Sequence, residues 1–330
     1  MQIRGERNKS KKRATADSKR VRIAKRIGAF ALAAVLVFGV GALIFAGQTQ
    51  KITLNVYNWG EYISDGSDET LDTNEAFEEY YYEKLSNGLE VYLMKKTEYK
   101  KTYGTLAVNF GSLDTCFIPP FKKEFVEVPI GTAHFMEHEM FEGKDNISMR
   151  FAEIGAEINA FTTFDRTVYN FNTLNNVDSC VKLLLELVQT KKYSNESINK
   201  ERKNIVQEIQ MYENMPQTVH YAECLKSMYT ASNVRYEIAG TIESIEKINK
   251  KALDLCYDAF YHPSNMCLVI VGNIDYQKIM NLIKQDQENK TFREFVIIKR
   301  QYPNESCEIN KKKFIMNYEL QIPKIALNLK

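Results

Sequence analysis

Apolar and polar residues change rhythm several times along the chain, and each rhythm predicts an element. Ile27 to Gly47 runs for 21 residues without a charged or amide side chain. At about 1.5 Å per residue, a helix of that length crosses the hydrocarbon core of a bilayer. Lys51 to Gly60 reads as a strand, and an acidic, Gly- and Ser-containing stretch follows to Glu79. Lys84 to Lys95 alternates around Leu85-Ser86-Asn87-Gly88-Leu89, a hairpin signal, and Thr102 to Phe110 continues as a strand. Pro119-Pro120 and Pro129 break the chain before a helix that starts near Ile130. Ile154 to Thr163 and Thr167 to Thr173 form a strand pair turned at Phe164-Asp165-Arg166. Two helices come next: Val177 to Lys192, with Leu183, Leu184, Leu185 and Leu187 on its core side, and Glu196 to Glu213, ended by Pro216. Met266 to Val271 is a continuous apolar run, hence a buried strand, and Tyr276 to Ile283 is helical. Strands arriving as hairpins between helices predict an α+β fold with a largely antiparallel sheet.

Composition narrows the class. With 330 residues, 44% of them hydrophobic, the chain is neither disordered nor a small disulfide-stapled module, and it holds one large domain or two ordinary ones. The net charge of +2 hides a division: residues 1–26 carry 11 Lys/Arg against 2 Asp/Glu, the rest 33 against 40. Only the tail is basic, which argues against a nucleic-acid-binding body. A basic segment before an uncharged 21-residue run predicts a single-pass anchor at 27–47 with the N-terminus in the cytoplasm. A cleaved signal peptide fits less well, because its apolar core is shorter and ends at a small-x-small site, whereas the exit here is Ile44-Phe45-Ala46-Gly47. The six cysteines form no C-x-x-C pair, which excludes metal knuckles and thioredoxin-type motifs; Cys180 and Cys267 sit in apolar runs as small core residues.

The chemistry concentrates in His134-Phe135-Met136-Glu137-His138, which holds two of the four histidines. At about 100° per residue, all three polar side chains of this stretch project into one narrow sector of a helix. Two imidazoles at i and i+4 can grip one Zn²⁺, and the carboxylate between them can take the proton of the water that attacks a carbonyl. This is the inverted order of H-E-x-x-H. A pair of ordinary helical histidines beside a solvated Glu is the plain alternative. A third ligand is needed. His220 lies beyond Pro216 and His262 lies in a loop, whereas Glu201 and Glu208 stack two turns apart on one helix, and spacing leaves open which of them serves.

Residues 80–330 resemble the N-terminal half of the pitrilysin/insulinase family of zinc metallopeptidases, which includes mitochondrial processing peptidase. The resemblance rests on Leu85 to Leu89, Gly131 to His138, Gly155 to Thr162 with Thr167-Val168-Tyr169, Glu201 to Glu208, and Tyr261 to Met266 leading into Val269 to Gly272. It implies a pitrilysin-like fold and one zinc ion per chain, with His134, His138 and Glu208 as ligands and Glu137 as general base. It also implies that Glu201 is a carboxylate orienting the site, that Asn159 and Ala160 lie on the edge strand pairing with an extended peptide, and that His262 is structural. Thr162 and Tyr169 are expected to pack and hydrogen-bond within the sheet.

Family members close two similar halves over a peptide, the second half or a partner subunit supplying oxyanion donors. Residues 311–330 resemble only the start of that second half, so a second half or homologous subunit is an expected partner beside the peptide or protein substrate. Leu54 to Phe77 separately resembles the opening of polyamine-binding proteins of bacterial ABC transporters, in which Trp and Tyr matching Trp59 and Tyr62 help line the polyamine site. The expected layout is a basic cytoplasmic tail (1–26), an anchor (27–47), this polyamine-binding-like segment (48–79), a metallopeptidase domain (80–310) and the start of a second half (311–330). The body then lies outside the membrane, or in the cytoplasm if residues 1–79 are foreign to it. The alternatives to a peptidase are a non-catalytic membrane component related to a polyamine transporter and a peptidase-fold scaffold subunit. About 25 matching residues favour the transporter and about 250 the peptidase.

Overall fold

A computed structural model describes residues 80–142, 146–317 and 325–326. The expected basic tail, anchor and polyamine-binding-like segment lie outside these. No helix among the described residues is long and apolar enough to cross a membrane.

Six strands form one mixed sheet: β1 (Tyr80–Lys84), β2 (Glu90–Lys95), β3 (Thr102–Val108), β6 (Ala156–Thr162), β7 (Thr167–Thr173) and β8 (Met266–Gly272). A small hairpin, β4 (Cys116–Phe117) with β5 (Val126–Glu127), stands apart. The order across the large sheet is β1-β2-β8-β3-β7-β6. Every pairing is antiparallel except β2 with β8, where Glu90 faces Cys267 and Lys95 faces Gly272 in parallel register. β8 is central and buried on both faces along its whole length, which is why its sequence is an unbroken apolar run.

The helices are α1 (Thr132–Phe141), α2 (Ile147–Glu153), α3 (Val177–Gln189), α4 (Asn195–Glu213), α5 (Pro216–Met228), α6 (Ile242–Lys247), α7 (Lys250–Phe260) and α8 (Tyr276–Glu288). Their apolar sides meet one face of the sheet in a core that includes Leu106, Tyr169, Leu184, Leu268 and Phe260. A smaller cluster, including Tyr92, Ala107, Val168 and Cys267, lies on the opposite face. Cys180, Cys256 and Cys267 are buried, and all six cysteines are free thiols.

Several expected boundaries move. The helix placed near Ile130 begins at Thr132, behind Gly131 at φ 89°. The strand placed from Ile154 begins at Ala156, because Gly155 turns the chain in the left-handed region at φ 71°. α3 stops at Gln189 rather than Lys192, since Thr190 is extended. α4 ends at Glu213, and Pro216 does not stop it but opens α5, where a missing N–H costs nothing. α8 continues past Ile283 to Glu288.

Residues beyond α8 run back across the domain as a strap. Phe117 bridges Arg300, and Gln301 N–H donates to Cys116 O at 2.8 Å. Arg300 pairs with the buried Asp114 at 2.8 Å, which also accepts from Tyr302 OH at 2.8 Å. Farther along, Glu305 accepts from the backbone N–H groups of Thr230, Ala231 and Ser232 at 3.0, 2.9 and 2.6 Å and from Thr230 Oγ1 at 2.8 Å.

Candidate metal centre

α1 is surrounded rather than amphipathic. Ala133, Phe135, Met136 and Met140 are buried, and so are the carboxylates Glu137 and Glu139. Its N-terminus abuts the loop at 236–241. A Cβ on Gly131 would come within 2.5 Å of Ala239 O, and one on Gly240 within 2.7 Å of Ile130 O. With both glycines at positive φ (89° and 85°), the two backbones meet with no side chain between them. Glu139 ties α1 to α4 by accepting from Ser197 Oγ at 2.8 Å; burial pushes its carboxyl up to about 7.

The structure brings together the residues that the motif and the resemblance single out. The His134 and His138 rings stand 4.5 Å apart, centre to centre. From α4, Glu208 approaches both: its Oε1 is 3.8 Å from His134 Nε2 and its Oε2 is 3.5 Å from His138 Nε2. Glu201, two turns earlier, faces the other nitrogen of His138, with Nδ1 2.7 Å from Oε1. Asn204 Nδ2 donates to the remaining Glu201 oxygen at 2.9 Å.

This donor set fits a zinc ion. Ligand atoms about 2.0–2.1 Å from a tetrahedral Zn²⁺ stand roughly 3.3 Å from one another. One atom each from His134, His138 and Glu208 lie within 4.8 Å of each other, and the 3.8 and 3.5 Å separations from Glu208 exceed that spacing only modestly. They are too long for hydrogen bonds. With Nδ1–H of His138 donated to Glu201, its Nε2 lone pair faces the gap. Burial, and then the neighbouring His138, push His134 down to about 3, so it stays neutral and needs to lose no proton to bind a metal. Burial also lowers the proton affinity of His138, but the Glu201 hydrogen bond and the charges of Glu137, Glu201 and Glu208 outweigh it. Glu201 goes down in turn, its hydrogen bonds from His138 and Asn204 overcoming the effect of burial.

Glu137 lies beside this group and is 7% exposed. Burial raises its carboxyl above the ordinary range, and a hydrogen bond from Thr162 Oγ1 to Oε2 at 2.6 Å partly offsets that. Thr162 was expected only to pack and hydrogen-bond within the sheet; its partner is the candidate base. Tyr212 was not anticipated either. Its OH donates to Glu208 Oε1 at 2.6 Å, an i+4 contact that α4 spacing alone makes possible. Tyr169 OH and Tyr261 OH pair at 2.8 Å in the core, and His262 Nε2 meets Arg293 O at 2.9 Å, away from the site.

One wall is β6, an edge strand among the described residues. Thr163 N–H donates to Arg166 O at 2.8 Å, so odd-numbered residues of β6 aim their backbone groups at β7. Ile158, Ala160 and Thr162 therefore present theirs to the open edge. Ala160 N–H is occupied by Asn159 Oδ1 at 2.9 Å. Together with α1, α4 and residues 237–239, β6 encloses a cavity of about 590 Å³.

Residues 127–242 match the insulinase family (peptidase family M16), and residues 247–330 match the peptidase M16 inactive domain. The first of these ranges carries the metal-type group and the edge strand just described. The body of this chain resembles M16 domains. It is 40% identical over 261 residues to YmfH, an uncharacterized zinc protease of Bacillus subtilis (strain 168), covering 79% of this chain and 61% of that protein. It also resembles the crystal structure of an M16-like peptidase from Alicyclobacillus acidocaldarius, with 41% identity and a TM-score of 0.69 over 71% of this chain and 55% of that one. The first half of the periplasmic protease PqqL from Escherichia coli shares the fold at 22% identity, with a TM-score of 0.55 over 66% of this chain and 48% of that one. This chain thus spans about three fifths of the Bacillus protein and just over half of the Alicyclobacillus one.

Proposed function

We propose that this M16 domain is the metal-binding part of a zinc-dependent endopeptidase. The observation that carries the reading is the convergence of His134, His138 and Glu208 beside a buried Glu137. His134, His138 and Glu208 hold the ion, one per chain, and Glu201 fixes the tautomer and orientation of His138. A bound zinc supplies Lewis acidity toward a peptide carbonyl and makes water easier to deprotonate. Glu137 accepts the proton of the attacking water and passes it to the leaving nitrogen. Thr162 keeps Oε2 of Glu137 directed, leaving Oε1 for that proton.

An extended peptide adds to the open edge of β6 through the backbone groups of Ala160, with Asn159 Oδ1 giving up Ala160 N–H to it. A second M16 half or homologous subunit covers the cleft. The 27–47 segment tethers the protein with its N-terminus in the cytoplasm; trypsin added to intact cells should then reach residues 311–313.

The direct test is zinc content with cleavage of a long unstructured peptide. One zinc per chain and chelator-sensitive cleavage are expected, Glu137→Gln keeping the metal and losing cleavage. Full zinc binding with no cleavage in any combination with a second half would favour the scaffold alternative.

A further inference from the structure

Glu208 stands across both imidazoles, its Oε1 3.8 Å from His134 Nε2 and its Oε2 3.5 Å from His138 Nε2. A carboxylate placed this way has two oxygens within reach of the same gap, and carboxylates bind cations through one oxygen or through both. The difference matters for hydrolysis. Two imidazoles and one carboxylate oxygen leave a zinc ion the fourth position that a catalytic site keeps open, whereas a second carboxylate oxygen crowds it.

One donor separates the two oxygens. Tyr212 OH donates to Oε1 at 2.6 Å, the length of a charge-assisted bond, which is about twice as strong as one between neutral groups. Among the described residues no other hydrogen bond reaches Glu208, so Oε2 keeps its lone pairs free. The donor is itself held in place. The Tyr212 ring sits one turn beyond Glu208 on α4, packs against the main core and forms part of the wall of the metal-side cavity. Its hydrogen bond to Glu208 pushes the phenol up to about 12, so the hydroxyl keeps its proton at neutral pH. The neighbouring acids follow the same rule. Thr162 Oγ1 occupies Oε2 of Glu137, and His138 and Asn204 between them occupy both oxygens of Glu201.

We propose that Tyr212 is a positioning residue that limits Glu208 to one ligating oxygen, Oε2, and so keeps the fourth position of a bound zinc open. Glu201 then aims His138 and Tyr212 aims Glu208, so two of the three ligands are directed from behind by a hydrogen-bond partner. Phenylalanine at 212 retains the ring packing but frees Oε1, which turns onto the ion as a fourth protein donor atom. This inference rests on the metal-centre reading of the site and adds to it the residue that sets how many donor atoms the protein supplies.

The test loads the full chain with Co²⁺ in place of zinc, because the visible absorption of Co²⁺ is intense with four ligand atoms around it and much weaker with five. Three proteins are compared: the parent, Tyr212→Phe, and Thr218→Val, which alters a side chain on the same cavity wall. Bound metal is counted in each, and circular dichroism checks the fold. All three should take up one ion per chain. The parent and Thr218→Val should show the intense four-coordinate bands, and Tyr212→Phe bands several-fold weaker. Four-coordinate bands in Tyr212→Phe overturn the proposal and leave the metal-centre reading standing. A five-coordinate spectrum in the parent overturns it too, and needs no variant. Loss of Co²⁺ from a folded Tyr212→Phe also overturns it, assigning the hydrogen bond to affinity instead of to the number of ligating oxygens. A folded parent that takes up no metal overturns the metal-centre reading, and the role of Tyr212 with it.

Discussion

His138 Nδ1 lies 2.7 Å from Glu201 Oε1, so one imidazole of α1 is held from behind by the carboxylate two turns before the one that faces its other nitrogen. This separates the consequences of two similar substitutions. Glu208→Gln removes a candidate ligand, and zinc should be lost in dialysis against a weak chelator. Glu201→Gln keeps all three ligands but weakens the acceptor that orients His138, so zinc should remain with an affinity about 10- to 100-fold lower. Chelator competition measures both. Equal losses would show that the two carboxylates share one role.

Spacing along α4 offers these two glutamates as equals, because residues seven apart share a helix face. What distinguishes them is where α1 crosses α4, which is packing and not pattern. Long-range pairing was out of reach for the same reason: β2 and β8 lie more than 170 residues apart, and nothing local in either specifies a parallel neighbour. The hairpins, α3, α4 and β8 were legible because one face or the whole element is apolar. α1 has no such stripe and was placed by the proline break at 129 and by its histidine spacing. α2 and α6 are short, and α5 buries only Ala222, so their signals are weak. α7 is a plain omission, since Leu253, Cys256 and Phe260 do form a helical face.

The Thr162–Glu137 hydrogen bond joins the end of the edge strand to the candidate base across 25 residues of sequence. Thr162→Val removes the donor at nearly constant volume. Zinc affinity should hold, because no ligand is touched, while kcat should fall by roughly 10- to 100-fold. Thr162→Ser should restore most of it. If the serine variant is as impaired as the valine one, the methyl group and not the hydroxyl matters.

Arg150 on α2 donates two parallel hydrogen bonds to Glu186 on α3, both at 2.8 Å, and Lys192 adds a third at 2.7 Å. The hydrogen bond from Arg150 leads in holding the Glu186 carboxyl at about 2, down from 4.5. A group depressed in the folded state stabilises it fully above its unfolded value, and that contribution disappears as pH falls toward the folded one. Arg150→Ala should therefore lower stability at pH 6, and its urea midpoint should converge with that of the parent between about pH 4.5 and 2. Both groups are about one third exposed, so the difference is modest. A constant gap across that range would assign the loss to packing.

Four hydrogen bonds from residues 230–232 converge on the Glu305 carboxylate and fasten the strap next to α5. Glu305→Ala leaves three backbone N–H groups without this acceptor. Amide hydrogen exchange at residues 230–232 should accelerate, while exchange in β3 and β8 stays unchanged, because those strands are secured by the core. Uniform acceleration would mean that the clasp supports the whole domain.

Among the described residues lining the metal-side cavity there is no Lys or Arg, and the Tyr212 hydroxyl is already committed to Glu208. The cavity can hold a metal and accept a proton, yet offers few side-chain donors for the negative charge that develops on a carbonyl oxygen. Absence of one such donor commonly costs about 10²–10³ in rate. Slow peptide cleavage is therefore expected from this chain by itself, rising at least a hundredfold when a second M16 half is added. The assay follows an unstructured peptide with and without that half, with chelator added to each as a control. A Glu137→Gln chain mixed with the same half should remain inactive, which assigns the gained activity to this site and not to the added protein. Rapid chelator-sensitive cleavage by the monomeric chain alone, unaffected by the second half, would show that the described residues already stabilise the oxyanion.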